Sequence, residues 1–329
     1  MNVDLDKYVK RIINGENLIY QELFHIAEKS DTDDLLQSAN QIRKAIRGNH
    51  IDLCAAMNLK SGKCGENCKY CSQSVYYKTH VQAYEMKEPE EVTKFAEYNQ
   101  NQGVTNFELS TSGGALSQID KLKLLGIYKT LSKSSSMHLC GAHGLLQNEE
   151  EARQLKEAGL KTYQHNLQAS RTFFPKICTT HKYDERINTL KYAKKAGLDL
   201  CSGGIIGLGE SMSDRIEMAL ELRNLGVSSM PVNILNPIEG TPYGGKPVSL
   251  TTEEILRTIA VFRFALPNVN LIYGAGRILL GAEQYRAFTA GLNGIVVGNF
   301  LTTKGNCISD DADMLKEQGF DIFPEAVSL

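Results

Sequence analysis

Three cysteines stand within eight residues of this chain, Cys64, Cys68 and Cys71, in the segment MNLKSGKCGENCKYCSQS. Three thiolates in a C-x3-C-x2-C spacing on one loop can wrap a [4Fe–4S] cube and bind three of its irons. The fourth iron is then left without a protein ligand, which suits chemistry on a small molecule better than electron transfer alone. A zinc site is a poorer match, because structural zinc takes four ligands, usually from paired knuckles, and no matching pair lies nearby. Chance is also a poor explanation, since the chain has only eight cysteines in 329 residues. Tyr70, between the last two cysteines, can pack over the cluster or over an adenine ring.

The other cysteines are Cys54, Cys140, Cys178, Cys201 and Cys307. The N-terminal stretch MNVDLDKYVKRIING is polar and mixed in charge, without the apolar core of a signal peptide. No apolar run approaches the ~18 residues of a membrane span. A cytoplasmic location is therefore expected, where thiols stay reduced. Unpaired cysteines in that number point to metal binding or catalysis. Net charge is −2, and no long like-charge run occurs, so nothing recruits nucleic acid or an acidic membrane. An apolar share of 42% and a charged share of 22% are those of an ordinary globular chain.

The elements that must position these residues follow a rhythm. Residues 2–46 carry apolar positions at helical spacing, with Asp31 or Asp33 as a cap, and form a helical preface expected to cover one end of the fold. Short apolar runs then alternate with longer amphipathic stretches. The candidate strands are 51–58, 106–111, 137–141, 161–167, 198–204, 229–235, 270–276 and 294–299. Helical patterns lie between them, several ending at a glycine such as Gly103, Gly159, Gly197 or Gly226. Eight strands with intervening helices predict an α/β fold, a (β/α)8 TIM-type barrel over residues 47–329 with an N-terminal helical extension over 1–46. An open doubly wound sheet is the alternative, but no Gly-rich dinucleotide fingerprint follows the first strand. The tail from about Gly305 is polar and should add one peripheral helix. The cysteine triad follows the first strand, at the barrel end where active sites form. Alternation puts Cys54 on the same face of that strand as Asp52, Ala56 and Asn58, small or polar residues that suit a cavity.

With the triad in view, the chain resembles the radical S-adenosylmethionine superfamily. Over nearly its whole length it is similar to biotin synthases. The matching stretches are NLKSGKCGENCKYCSQS, YYKTH, YQHNL, TTHKYDERINTL, CSGGIIGLGES, PVNILNPIEGTP, RTIAVFR, AGR and LTT. The resemblance implies that the open iron chelates S-adenosylmethionine, and that one electron cleaves it to a 5′-deoxyadenosyl radical. It further implies conversion of dethiobiotin to biotin by two hydrogen abstractions, with sulfur supplied by an auxiliary iron–sulfur cluster. A small electron donor such as flavodoxin or ferredoxin, and a homodimer, are implied in the same way. Another radical enzyme on the same scaffold, resembling a hydrogenase-cofactor maturase or a methylornithine synthase and inserting no sulfur, is the alternative.

Residue roles carry over from the resemblance. Asn166 is expected at the cofactor ribose and the substrate, and Arg186 at the methionyl carboxylate, for which a guanidinium fork is suited. On its residues alone, Arg186 also reads as a surface arginine on an amphipathic helix. Asn233 is expected at the ureido ring of dethiobiotin, where an amide both donates and accepts; as a plain turn residue before Pro237 it would need no ligand. Ser112, Gly113 and Gly114 could bring backbone to the methionyl amine, or form a simple turn. Gln168 stands where the family usually has an acidic residue near the ribose.

The chain departs from the family at its auxiliary site. The usual [2Fe–2S] cluster has three cysteine ligands and an arginine. Cys140 and Cys201 match two of them, but Glu108 replaces the third and Ile272 falls at the arginine. Glu108 is open to two readings, an iron ligand or a group held by a salt bridge or hydrogen bond. Cys54, Cys140, Cys178 and Cys201 together could hold a four-iron cluster, since such clusters favour four thiolates. In this the chain resembles an anaerobe subgroup thought to carry a [4Fe–5S] auxiliary cluster.

Overall fold

A computed structural model describes residues 3–247 and 250–322. Three helices come first, α1 (Leu5–Ile13), α2 (Tyr20–Lys29) and α3 (Thr32–Arg47). The alternating part runs β1 (Asp52–Lys60), α4 (Pro89–Asn101), β2 (Asn106–Thr111), α5 (Gln118–Ser134), β3 (His138–Ala142), α6 (Glu149–Glu157), β4 (Thr162–Gln164) and α7 (Tyr183–Lys195). It continues as β5 (Asp199–Cys201), β6 (Gly204–Ile206), α8 (Met212–Leu225), β7 (Ser229–Ile234), α9 (Thr252–Ala265), β8 (Asn270–Tyr273), α10 (Arg286–Thr289), β9 (Gly294–Val297) and α11 (Ile308–Glu317).

Every strand pairing is parallel, in the order β5-β4-β3-β2-β1-β9-β8-β7-β6, and β5 also pairs β7 through Cys201 and Ser229. The sheet therefore closes on itself as a (β/α)8 barrel. The stretch 198–204, read from sequence as one strand, is two. The chain breaks step at Ser202 and Gly203, and β5 and β6 share one place in the barrel. A side chain at Gly203 would collide with the Pro231 carbonyl, so only glycine lets the strand kink there.

Strict alternation separates the two faces of the strands. On β1, Leu53, Ala55, Met57 and Leu59 are buried beneath the helices, while Cys54 and Ala56 face the barrel interior. On β2 and β3, Phe107, Leu109 and Leu139 point out, and Glu108 and Cys140 point in. Most barrels of this type fill the interior with layers of bulky branched side chains. Here the inward residues are mostly small or polar, and a cavity of about 500 Å³ remains.

The helical preface does not cover a barrel end. Its helices lie along the flank, α2 against α8 and α9, and α3 against α9. That explains why α9 is apolar almost all round, with Ile255, Leu256, Ile259, Val261, Phe262 and Phe264 all buried: it has protein on both sides. Arg257 joins the two parts, donating to the carbonyls of Ala27 (2.7 Å) and Ser30 (2.7 Å) and to Thr32 Oγ1 (3.0 Å). Asp31 is the residue that caps α3, accepting from the amides of Asp33 and Asp34. The tail helix is α11, held by the fully buried ion pair of Arg277 and Asp311. Among the described residues, no helix is long and apolar enough to cross a membrane.

Candidate active site

The triad sits on the loop after β1, and that loop is fixed by its own backbone. The Cys64 amide donates to Gln73 O (3.0 Å) and the Val75 amide to Cys64 O (2.9 Å), while the Cys71 amide bonds Cys68 O (3.0 Å). Ser74 Oγ donates to Glu66 O (2.6 Å) and Tyr77 OH to Asn67 O (2.7 Å). These bonds gather Cys64, Cys68 and Cys71 at the mouth of the cavity, where Tyr70 and Cys71 line its wall. Among the described residues, the only set of three Cys, His or carboxylate groups with donor atoms all within 4.8 Å of one another is Glu66, Cys178 and His181. The triad thiols are thus spread more widely than the ligands of a single ion. That spacing fits a multi-iron cluster and argues against zinc.

Around the triad, Arg186 is the dominant cation. It is 7% exposed, not a surface arginine. Its Nε donates to His181 Nε2 (2.9 Å) and one terminal nitrogen to the Asn166 carbonyl (2.6 Å), with Phe174 beneath the guanidinium. Since Arg186 donates to Nε2 of a neutral His181, the Nδ1 proton of that ring goes to Glu66 (2.5 Å). Glu66 and His181 thus orient the arginine, a chain that sequence reading missed. The signal was present, because Glu66 lies inside the triad and His181 five residues before Arg186.

Asn166, Gln168 and Asn233 all line the same cavity. Asn166 Oδ1 accepts from the Gly203 amide (3.0 Å) and braces the break between β5 and β6. Gln168 has a left-handed backbone, φ 73°, uncommon for a residue with a side chain. Its amide donates to Gly203 O and its carbonyl accepts from Ile205, while its side-chain Oε1 is buried without a partner. An orphaned acceptor at a cavity wall fits a ligand hydroxyl. Asn233 accepts from the Ala275 amide (2.9 Å) and donates to Gly204 O (3.2 Å), leaving one N–H for a ligand. A side chain at Gly274 would strike Asn233 Oδ1. Ser112 and Gly113 lie at the end of β2 beside the triad loop, outside the cavity wall; Ser112 Oγ donates to Gly62 O (2.7 Å).

Deeper in the barrel, Cys54, Cys140 and Cys201 face one another across the same cavity, together with Glu108. Burial, reinforced by Cys140 and other acidic neighbours, pushes the Cys54 thiol well up. Burial does the same to Cys140, and takes Cys201 up to about 12. Burial alone takes Glu108 up to about 7. The interior thiols are therefore held toward the neutral form and must lose protons to take metal. Among the described residues no arginine or lysine lines the cavity, and Ile272 is part of its wall. A set of thiols this wide again fits a cluster better than one ion.

Cys178 is not among them. Its Sγ lies 3.6 Å from Cys68 Sγ and 3.5 Å from His181 Nδ1, beside the triad. The Cys68 thiol donates to it and holds it down as the thiolate, while Cys68 is pushed up. The expectation that Cys178 joins the interior cysteines fails because the loop after β4 folds back over the triad loop. Lys69 donates to Ile177 O (2.9 Å), and the Asn67 side chain bridges Thr179 and Thr180. Cys307 is exposed, ahead of α11.

Comparison with known proteins agrees with this geometry. Residues 59–222 match the model of the radical SAM superfamily, and residues 231–321 that of the Biotin and Thiamin Synthesis associated domain. The chain is 46% identical to a biotin synthase of Acetivibrio thermocellus, over 95% of this chain and 97% of that protein. It is 47% identical to one of Clostridium botulinum, over 96% and 98%. Among solved structures, a methylornithine synthase superposes with a TM-score of 0.83, covering 97% of this chain and 98% of that one at 16% identity. A maturase of the [FeFe]-hydrogenase superposes at 0.81, covering 96% and 75% at 18% identity. These two likenesses are likenesses of fold.

Proposed function

The chain belongs to the biotin synthase family, and from that premise we propose that it converts dethiobiotin to biotin by radical sulfur insertion. One observation carries the reading: a single cavity runs from Cys71 at its mouth to Cys54, Cys140 and Cys201 in its depth, with Asn166, Gln168 and Asn233 between them. A substrate held there lies between a radical source and a sulfur source.

The [4Fe–4S] cluster and S-adenosylmethionine supply, when bound, the 5′-deoxyadenosyl radical that abstracts hydrogen from dethiobiotin. The residues of the chain do the positioning. Cys64, Cys68 and Cys71 hold the cluster. The remaining N–H groups of Arg186 fork a carboxylate, with the guanidinium fixed by His181 and Asn166. Tyr70 covers the adenosyl side. Gln168 takes a ribose hydroxyl on its unpartnered oxygen. Asn166 lies between cofactor and substrate, and Asn233 receives the ureido ring. Ser112 and Gly113 shape the backbone beside the triad. The apolar wall at Pro231, Ile234 and Ile238 shields the substrate's carbon chain from water.

The sulfur source in this reading is an auxiliary four-iron cluster on Cys54, Cys140 and Cys201, of [4Fe–5S] rather than [2Fe–2S] type. Three thiolates would leave a fourth iron to carry the extra sulfide, and among the described residues no arginine lines the cavity, which speaks against the usual two-iron ligand set. Flavodoxin or ferredoxin as reductant and a homodimer rest on the resemblance, and a cytoplasmic location on the polar N-terminal stretch and the lack of a long apolar run. The division into a helical extension, 1–46, and a barrel, 47–329, rests on the change of periodicity along the sequence.

The test is anaerobic conversion of dethiobiotin to biotin with S-adenosylmethionine and a strong reductant. Formation of 5′-deoxyadenosine with neither biotin nor a thiolated intermediate would overturn the substrate assignment. Iron analysis is the companion measurement: two four-iron clusters give about eight irons per chain.

A further inference from the structure

Two acidic side chains share the level of the interior thiols, Glu108 and Asp199, but Asp199 is exposed and reaches Cys140 only across Thr162, whereas Glu108 is its immediate neighbour. In the register of the sheet Glu108 stands between Ala56 on β1 and Cys140 on β3. Cys54 is two residues earlier on β1 than Ala56, on the same inward face. Glu108 thus has Cys140 beside it and Cys54 one pleat below. Among the described residues the carboxyl group has no hydrogen-bond or ion-pair partner, and no lysine or arginine lines the cavity to neutralise it. The residue is half-buried, and its carboxyl group faces the cavity rather than being sealed in the wall, so it is available to a ligand held there with the thiols. Three thiols and one carboxyl group make a four-ligand set in which one member is a hard oxygen donor.

We propose that Glu108 is the fourth protein ligand of the auxiliary cluster, binding through oxygen the iron that Cys54, Cys140 and Cys201 leave free. This rests on the reading that these cysteines hold a four-iron cluster. Binding forms one Fe–O bond and releases the carboxyl proton to the solvent, as each thiol releases its own. Oxygen is a poorer match than thiolate for iron in a sulfur cluster. The iron held by Glu108 would therefore be the exchangeable one, where sulfide could take the place of the carboxylate.

The experiment uses the full chain with Cys64, Cys68 and Cys71 replaced by alanine, so that only the auxiliary cluster is read. After anaerobic reconstitution, about four irons are expected per chain. Adding Glu108→Ala should lower this to about three and give the EPR signal of a three-iron cluster on oxidation. Glu108→Cys should restore about four irons with no three-iron signal. Circular dichroism checks folding, which loss of a carboxyl group that makes no hydrogen bond or ion pair among the described residues does not impair. Unchanged iron and unchanged EPR in Glu108→Ala would overturn the ligand assignment while leaving the cluster in place. If Cys140→Ala with Cys201→Ala also leaves the iron unchanged, the auxiliary cluster itself is not where we place it, and both readings fall.

Discussion

Single atoms separate the two cysteine sets. Cys178 and Cys201 are both buried thiols, yet one touches the triad and the other faces the barrel interior. Cys178→Ala should therefore leave the auxiliary iron in place, whereas Cys201→Ala should remove about four irons per chain. Iron and sulfide analysis of the two reconstituted variants decides it, and loss of auxiliary iron in Cys178→Ala would restore it as an interior ligand. Arg186 makes a second case. Lysine in its place keeps the charge but cannot hold His181, Asn166 and a carboxylate together. Arg186→Lys should weaken S-adenosylmethionine binding by about ten- to a hundredfold, the value of one or two hydrogen bonds to a charged group. Equilibrium binding to the cluster-loaded protein measures this, and an unchanged affinity would remove Arg186 from the cofactor site.

At the scale of elements, His143 shows how the upper ends of neighbouring strands are locked. It follows β3, and its ring lies between Tyr128 OH of α5 (2.7 Å) and Thr111 Oγ1 of β2 (3.2 Å). Burial pushes its pKa down to about 3. The unfolded chain, with an ordinary histidine, takes up that proton below about pH 6.5 while the folded chain does not. The stability linked to neutral His143 is thus full above that pH and is lost as pH falls toward 3. The slope is about 1.4 kcal/mol per pH unit. Denaturant titrations between about pH 6.5 and pH 5 should show this contribution from His143, with a further one from His165, whose pKa burial also lowers. His143→Gln should reduce the slope by about one proton. An identical slope in the variant would show that His143 is already protonated in the fold.

Across the whole molecule, two arginines tie the terminal segments to the barrel. Arg257 holds the turn between α2 and α3, and Arg277 holds α11 through Asp311, with Gln284 as a further acceptor (2.6 Å). Removing Asp311 leaves the guanidinium charge uncompensated in a site with no solvent access. Asp311→Ala should therefore cost about 3–5 kcal/mol, read as a shift in denaturation midpoint. A loss under about 1 kcal/mol would mean that water reaches the site.

Much of this was legible in the sequence, and the reason differs by feature. The triad was readable because its three ligands lie on one loop, so spacing alone sets which atoms can meet. The barrel was readable because alternation and helical periodicity are local signals, and eight such units close in few ways. Alternation also put Cys54 on the inward face before any fold was known. It could not say which other residues share its level, because period two gives the face of a strand and not its height. Only the register of the closed sheet set Glu108 beside Cys140 and brought both near Cys54 and Cys201. The kink at Ser202 and Gly203 and the course of the loop holding Cys178 depend on contacts between distant segments, with Pro231 and with Asn67, that no local pattern records. The sequence by itself thus determined that this chain carries a three-cysteine cluster site on a barrel. The tertiary structure alone decided which of the remaining cysteines share the interior with it, since that follows from register and loop path across more than a hundred residues.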